Sequence, residues 1–190
     1  MTNSVLDQAN QVRAGEELDI STVDSWLKEQ ISGLSELPKV TQYSGGASNW
    51  TYCLDYPEKS LILRRAPAGT KAKGAHDMGR EFRLQSALKP VYNYVPEMLA
   101  FCEDVSIVGS KFYVMEKLTG VIPRKNLPRG LQVTKQQTQK LCTNVLDSLI
   151  ELHKVDHEKA GLSHLGKGTG YIEFRSKSYE KNSNLKKNIV

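Results

Sequence analysis

Apolar positions along this chain follow two rhythms. Val23, Trp26, Leu27, Ile31 and Leu34 recur at helical spacing. Ser21-Thr22-Val23-Asp24 stands at the head of that stretch with the pattern of a capping box, so a helix is expected from there to about Gly33. The period then shortens to two. Thr41–Ser44 is a short extended run, and Trp50, Tyr52 and Leu54 alternate with Thr51, Cys53 and Asp55. After a polar turn containing Pro57, Ser60–Arg65 is apolar through Leu61, Ile62 and Leu63 and ends in two arginines. A second helical pattern, Ala75–Lys89, sets Met78, Phe82 and Leu88 roughly on one face with Glu81 beside it, and Pro90 ends it. Two more strands are expected at Glu97–Glu103 and Lys111–Lys117, around a turn with Gly109. This order predicts an α+β lobe, a five-stranded antiparallel sheet with one helix packed on it.

Beyond the lobe the pattern changes. Residues 118–133 carry Gly120, Pro123, Pro128 and Gly130, the composition of a linker. Thr134–Val155 is the longest helical signal, with Leu141, Val145, Leu149 and Leu152 in one stripe widened by Cys142, Leu146 and Ile150. A helix so apolar calls for a partner surface. The expected layout is a loose arm over 1–19, the sheet lobe over 20–117, the linker, the start of a helical second lobe over 134–172, and a divergent, disordered tail over 173–190.

Composition narrows the class. The hydrophobic fraction of 39% and charged fraction of 25% are those of a globular domain. A net charge of +5 suits small anionic ligands and is weak support for nucleic acid. The basic tail lacks the interleaved aromatics of a nucleic-acid-binding segment, so no nucleic acid is expected. No apolar run is long enough to span a membrane, and MTNSVLDQANQ has neither the basic nor the apolar region of a secretory leader. Cys53, Cys102 and Cys142 are scattered and odd in number, which favours free thiols in a reducing compartment. A cytoplasmic setting is the expectation. His157 and His164 have no partners at zinc-ligand spacing.

The chemistry concentrates at YSGGASNWTYCLDYPEKSLILRR. Gly45 and Gly46 allow left-handed backbone and close approach to a ligand. Consecutive N–H groups in such a turn form an anion-binding concavity, and Ser48 and Asn49 add side-chain donors. A cation at the end of the third strand can reach the same anion. A plain hairpin with a glycine turn and a basic strand end fits the same residues.

The order of glycine loop, strand cation, helix carboxylate, two strands and hinge resembles the amino-terminal lobe of protein kinases. SGGASNWTY, LILRRAP, HDMGREFRLQSAL, FYVMEKLTG, LIELHKVD and GLSHLGKGTGY resemble the aminoglycoside phosphotransferase family, in particular the kinase-like domains fused to some acyl-CoA dehydrogenases. The resemblance covers about Ile20–Tyr171. It implies that Gly45, Gly46, Ser48 and Asn49 cover the ATP phosphates, and that Arg64 is the strand cation, with Arg65 the alternative if the register is one residue off. Arginine stands where lysine is commonest; its planar fork suits bidentate phosphate contacts. Glu81 is implied as the carboxylate that holds that cation, against the plainer reading of a solvated helix face. At the hinge, the Glu116 carbonyl and the Leu118 amide would bind adenine, against the plainer reading of a strand end.

The implied activity is transfer of the ATP γ-phosphate to the hydroxyl of a small molecule, with a hydroxyacyl thioester as one candidate. The implied cofactors are ATP and Mg²⁺. The family's catalytic Asp, and the Asp and Asn that hold Mg²⁺, match nothing here, so the chain is expected to be a truncated form, inactive or nearly so by itself, with no catalytic or metal-binding residue assigned. His153 and Asp156 are read as packing and capping a helix end. Two alternatives remain: a non-catalytic nucleotide-binding or interaction fragment that pairs with an intact relative, and a chain that does not fold stably alone.

Overall fold

The computed structural model describes residues 6–44, 49–67, 77–123, 126–128 and 130–165. Gly45, Gly46, Ser48 and the tail therefore lie outside the described residues. The chain divides into two compact units, Met1–Lys154 and Val155–Val190.

The first unit contains α1 (Ile20–Gln30), β1 (Lys39–Gln42), β2 (Trp50–Asp55), β3 (Ser60–Arg65), α2 (Met78–Leu88), β4 (Met98–Cys102), β5 (Phe112–Glu116) and α3 (Lys135–His153). The strands form one five-stranded antiparallel sheet in the order β1-β2-β3-β5-β4. The α+β lobe read from the sequence is the fold, and the third strand has the expected bounds.

Antiparallel register and pleat parity assign every strand residue to a face. On one face lie Tyr52, Leu54, Leu61, Leu63, Phe112 and Val114, all buried. They form the main core with Val23, Leu27 and Ile31 of α1. Trp26 meets the Phe112 ring edge-on at 5.1 Å. The sheet thus has a helix on each face, where one was expected, because α2 takes the opposite side. There Phe82 stacks on Phe101 at 5.4 Å and meets Tyr113 at 6.4 Å. Tyr52, Cys53 and Leu54 are buried in succession rather than alternately; on the opposite face the Cys53 thiol donates to Asp55 Oδ1 at 3.3 Å.

The start of α1 differs from the capping-box reading. Asp19 is the N-cap; its carboxylate accepts from the Thr22 N–H and from the Ser21 and Thr22 hydroxyls. Those bonds, led by Ser21, hold its pKa down at about 2. Asp24 is instead buried within the helix, where it accepts from Tyr56 Oη at 2.9 Å and Lys28 Nζ at 2.7 Å. Gly33, at φ 76°, takes the left-handed turn that leads the chain away from α1.

α2 opens on Asp77, whose side chain accepts from the Arg80 N–H. Its second residue, Gly79, lies close to β4. A Cβ there would sit 3.0 Å from Arg83 Nη1 and 3.1 Å from the Phe101 ring, so any larger residue would require both side chains to give way by a few tenths of an ångström. α3 begins with a complete capping box, Thr134 with Gln137. It touches the preceding connector through Tyr92 Oη, which donates to the Ser148 carbonyl. Its apolar stripe stays in solvent: Leu141, Val145, Leu146, Leu149 and Ile150 are all exposed.

In the second unit, Asp156 accepts from the N–H groups of Glu158 and Lys159, and a short 3-10 turn follows at Ser163–Leu165.

Candidate nucleotide site

The sheet face shared with α2 carries the candidate site. Ile62 pairs with Cys53 on one side and Met115 on the other. Arg64, two residues on, pairs with Thr51 and Tyr113. Arg64 and Ile62 therefore share a face, and Arg65 points to the other.

The adjacent arginines have opposite surroundings. Arg65 is 7% exposed and fully engaged. Its guanidinium donates to Tyr52 Oη and to the Val108 and Glu16 carbonyls, and lies 4.5 Å over the Trp50 ring. Arg64 is half-exposed, and its Nε lies 3.9 Å from Glu81 Oε2. That Nε has no hydrogen-bond partner among the described residues. The geometry brings Arg64, not Arg65, to Glu81.

Glu81 is held from two more elements. Tyr113 Oη of β5 donates to Oε2 at 2.9 Å, and Asn49 Nδ2, just before β2, donates to Oε1 at 3.3 Å. Two hydrogen-bond donors and one cation from around the sheet thus converge on one carboxylate on α2. Tyr113 was absent from the sequence-derived set. Its signal was parity: in FYVME, Tyr113 and Met115 share a face.

Burial, with Glu81 opposite, pushes the Tyr113 phenol up to about 12, despite the opposing Arg64 charge. An unfolded tyrosine titrates near 10. The native state thus binds this proton more tightly. The associated stability is complete below pH 10 and is lost as pH rises towards 12. Tyr56, also raised by burial, adds to the same slope. In urea unfolding between pH 8 and 11.5, Tyr113→Phe should flatten the decline by one tyrosine's share. An unchanged slope would remove Tyr113 as a contributor.

Next to this cluster is a cavity of about 920 Å³, within the range of ligand pockets. Thr41, Tyr43, Thr51, Cys53, Ile62 and Met115 line it from the sheet, and Glu116–Ile122 from the chain leaving β5. Leu118 is exposed at its edge. The Glu116 side chain turns elsewhere, accepting from the Glu97 N–H at 2.8 Å and Lys89 Nζ at 3.0 Å. These bonds, the Glu97 one first, lower its pKa. Lys117 Nζ reaches back to Asp55 Oδ1 at 3.3 Å, fastening the chain leaving β5 to β2. Burial opposes ionisation of Asp55, but bonds from Ser60, Cys53 and Lys117 outweigh it and lower the pKa. Burial raises the Cys53 thiol, which favours an inert wall residue over a nucleophile.

Among the described residues no three His, Cys, Asp or Glu side chains group as a metal site. No helix among them is long and apolar enough to cross a membrane.

The model of the family described as "Phosphotransferase enzyme family" matches residues 39–187. The chain belongs to the phosphotransferase enzyme family. The match takes in all five strands, α2 and α3. Among curated proteins, this phosphotransferase chain is 32% identical to acyl-CoA dehydrogenase family member 11 of Rattus norvegicus, over 86% of its own length and 21% of the relative's. It is 34% identical to member 11 of Gallus gallus, over 85% and 21%. It is 32% identical to member 10 of Mus musculus, over 84% and 15%. The chain thus spans about a fifth or less of these relatives' length. The branch of the family is the one that the motifs resembled. A crystal structure of a provisionally assigned aminoglycoside phosphotransferase from Ralstonia eutropha aligns with a TM-score of 0.70 at 25% identity, covering 89% of this chain and 48% of that one.

Proposed function

We propose that this phosphotransferase lobe binds ATP, with the adenine in the cavity beside the hinge and the phosphates towards Arg64. The observation that carries the reading is the convergence of Arg64, Tyr113 and Asn49 on Glu81, one residue pair beyond a cavity walled by the hinge.

Each residue has a physical task. Ile62, Cys53 and Met115 offer a flat apolar surface for a purine. The backbone at Glu116 and Leu118 supplies the polar edge. Arg64 presents a planar cation to phosphate oxygens, with one nitrogen unpartnered among the described residues. Glu81 sets the direction of that cation, and its own direction is set by Tyr113 and Asn49. Gly45, Gly46 and Ser48 are assigned to the phosphates on the motif alone. The described residues fit the nucleotide. They do not form a Mg²⁺ site, so no step is derived through the metal.

At the level of the family, the reaction proposed is transfer of the ATP γ-phosphate to a small-molecule hydroxyl. The acyl-CoA dehydrogenase relatives make a hydroxyacyl thioester a candidate acceptor. The share assigned to this chain is nucleotide binding and orientation.

Isothermal titration tests the reading. Saturable binding of ATP, with adenosine weaker because it lacks the phosphates, is expected. No heat with either ligand at millimolar concentration would sink it.

A further inference from the structure

The cavity has a wall that is not part of the sheet. Leu6, Asp7, Gln8 and Ala9 line it together with β1, β2 and the hinge. This stretch lies in no helix or strand. Gln42, the last residue of β1, anchors the segment that follows this stretch. It is 2% exposed. Its N–H donates to the Asn10 carbonyl and its carbonyl accepts from the Asn10 N–H, both at 2.8 Å. Its side-chain carbonyl accepts from the Arg13 N–H at 3.0 Å, and its amide donates to Glu16 Oε2 at 2.5 Å.

Each polar group of Gln42, backbone and side chain, therefore bonds to the arm. A second anchor lies close by: the Glu16 carbonyl accepts from Tyr52 Oη at 2.6 Å and Arg65 Nη2 at 3.5 Å. Backbone pairing alone would cover the exposed edge of β1. A buried side-chain amide bonded to the same segment does more, because it fixes the segment's register and leaves it one position. That position puts residues 6–9 at the cavity.

We infer that residues 6–9 are a wall of the nucleotide site and that Gln42 is the positioning residue that sets it there. The inference rests on the nucleotide reading and deepens it. Arg64 does not line the cavity, whereas the hinge does. The arm therefore acts on the base and ribose, not on the phosphates. Its loss weakens ATP and adenosine by the same factor, whereas loss of Arg64 weakens ATP alone.

The test uses the full chain with Leu6→Gly, Asp7→Ser, Gln8→Gly and Ala9→Ser together, which leaves Asn10, Arg13, Glu16 and Gln42 intact. Gln42→Leu is the second variant. Adenosine and ATP are titrated into each. Wild type should bind both, and the arm variant should bind both about tenfold more weakly, the cost of roughly 1.4 kcal/mol of lost contact. Gln42→Leu should shift both ligands the same way and speed amide exchange over residues 6–13. Equal affinities in wild type and arm variant would overturn the inference and leave the nucleotide reading standing. Weakening of ATP alone would also overturn it, since it would place the arm at the phosphates. Binding of neither ligand by wild type would overturn both.

Discussion

Arg64→Ala is expected to remove most of the thermal stabilisation that ATP confers while barely changing the unliganded chain. The small structural cost follows from exposure. Arg64 and Glu81 side chains are 35% and 34% exposed, and their atoms stand 3.9 Å apart. A pair of this kind is worth at most about 1 kcal/mol. Glu81 also keeps Tyr113 and Asn49. The binding cost is larger. ATP at about 100 times its dissociation constant stabilises a fold by roughly 2.7 kcal/mol. Losing one or two charge-assisted bonds to phosphate costs on the order of 1.5–3 kcal/mol each. If affinity falls about 100-fold, the stabilisation drops to about 0.4 kcal/mol. Thermal unfolding with and without Mg-ATP reads this directly. A variant that keeps the full wild-type shift would contradict the role given to Arg64.

Arg65→Met should do the reverse. Methionine replaces the length of the side chain but none of its donors. The Val108 carbonyl loses its partner, the Glu16 carbonyl is left with Tyr52 alone, and the cation over Trp50 is gone. An acceptor left unsatisfied costs up to about 1–3 kcal/mol, less for the partly buried Val108 carbonyl, and a cation–π contact about 0.5–2 kcal/mol. Stability should fall by about 2–3 kcal/mol in urea unfolding, with the ATP response largely retained because Gln42 still anchors the arm. An unchanged midpoint, or a lost ATP response in a folded variant, would contradict the assignment of the two faces. Neighbouring arginines with opposite phenotypes are what a pleated strand predicts.

That opposition also marks how far the chain could be read without coordinates. The β3 run was legible because Leu61, Ile62 and Leu63 are flanked by polar residues. That Arg64 rather than Arg65 meets Glu81 rested on the resemblance alone, because it depends on pairing of β3 with β2 and β5. Tyr113 was missed because parity puts it beside Met115 but only the β3–β5 pairing sets it opposite Arg64. The capping pattern at Ser21–Asp24 misled because its carboxylate is drawn inward by Tyr56, 32 residues along the chain. The signal for Asp19 was equally local and equally short. α1 against the first sheet face could not be read, since its apolar stripe does not say which surface it meets. In α3 the stripe was read correctly as a pattern, yet its residues are exposed, so helical periodicity alone did not establish burial. The arm shows the converse. Its residues look unstructured, and its anchor is one glutamine in β1 that the strand pattern does not single out.

The most direct test of the central claim is a map of backbone amide shifts as ATP is titrated into the isotopically labelled chain. The largest perturbations should fall at Thr51, Ile62, Arg64, Met115, Lys117 and Leu118, all on one sheet face and its hinge. Perturbations confined to the opposite face, at Tyr52, Leu63 and Val114, or none at saturating ATP, would contradict it.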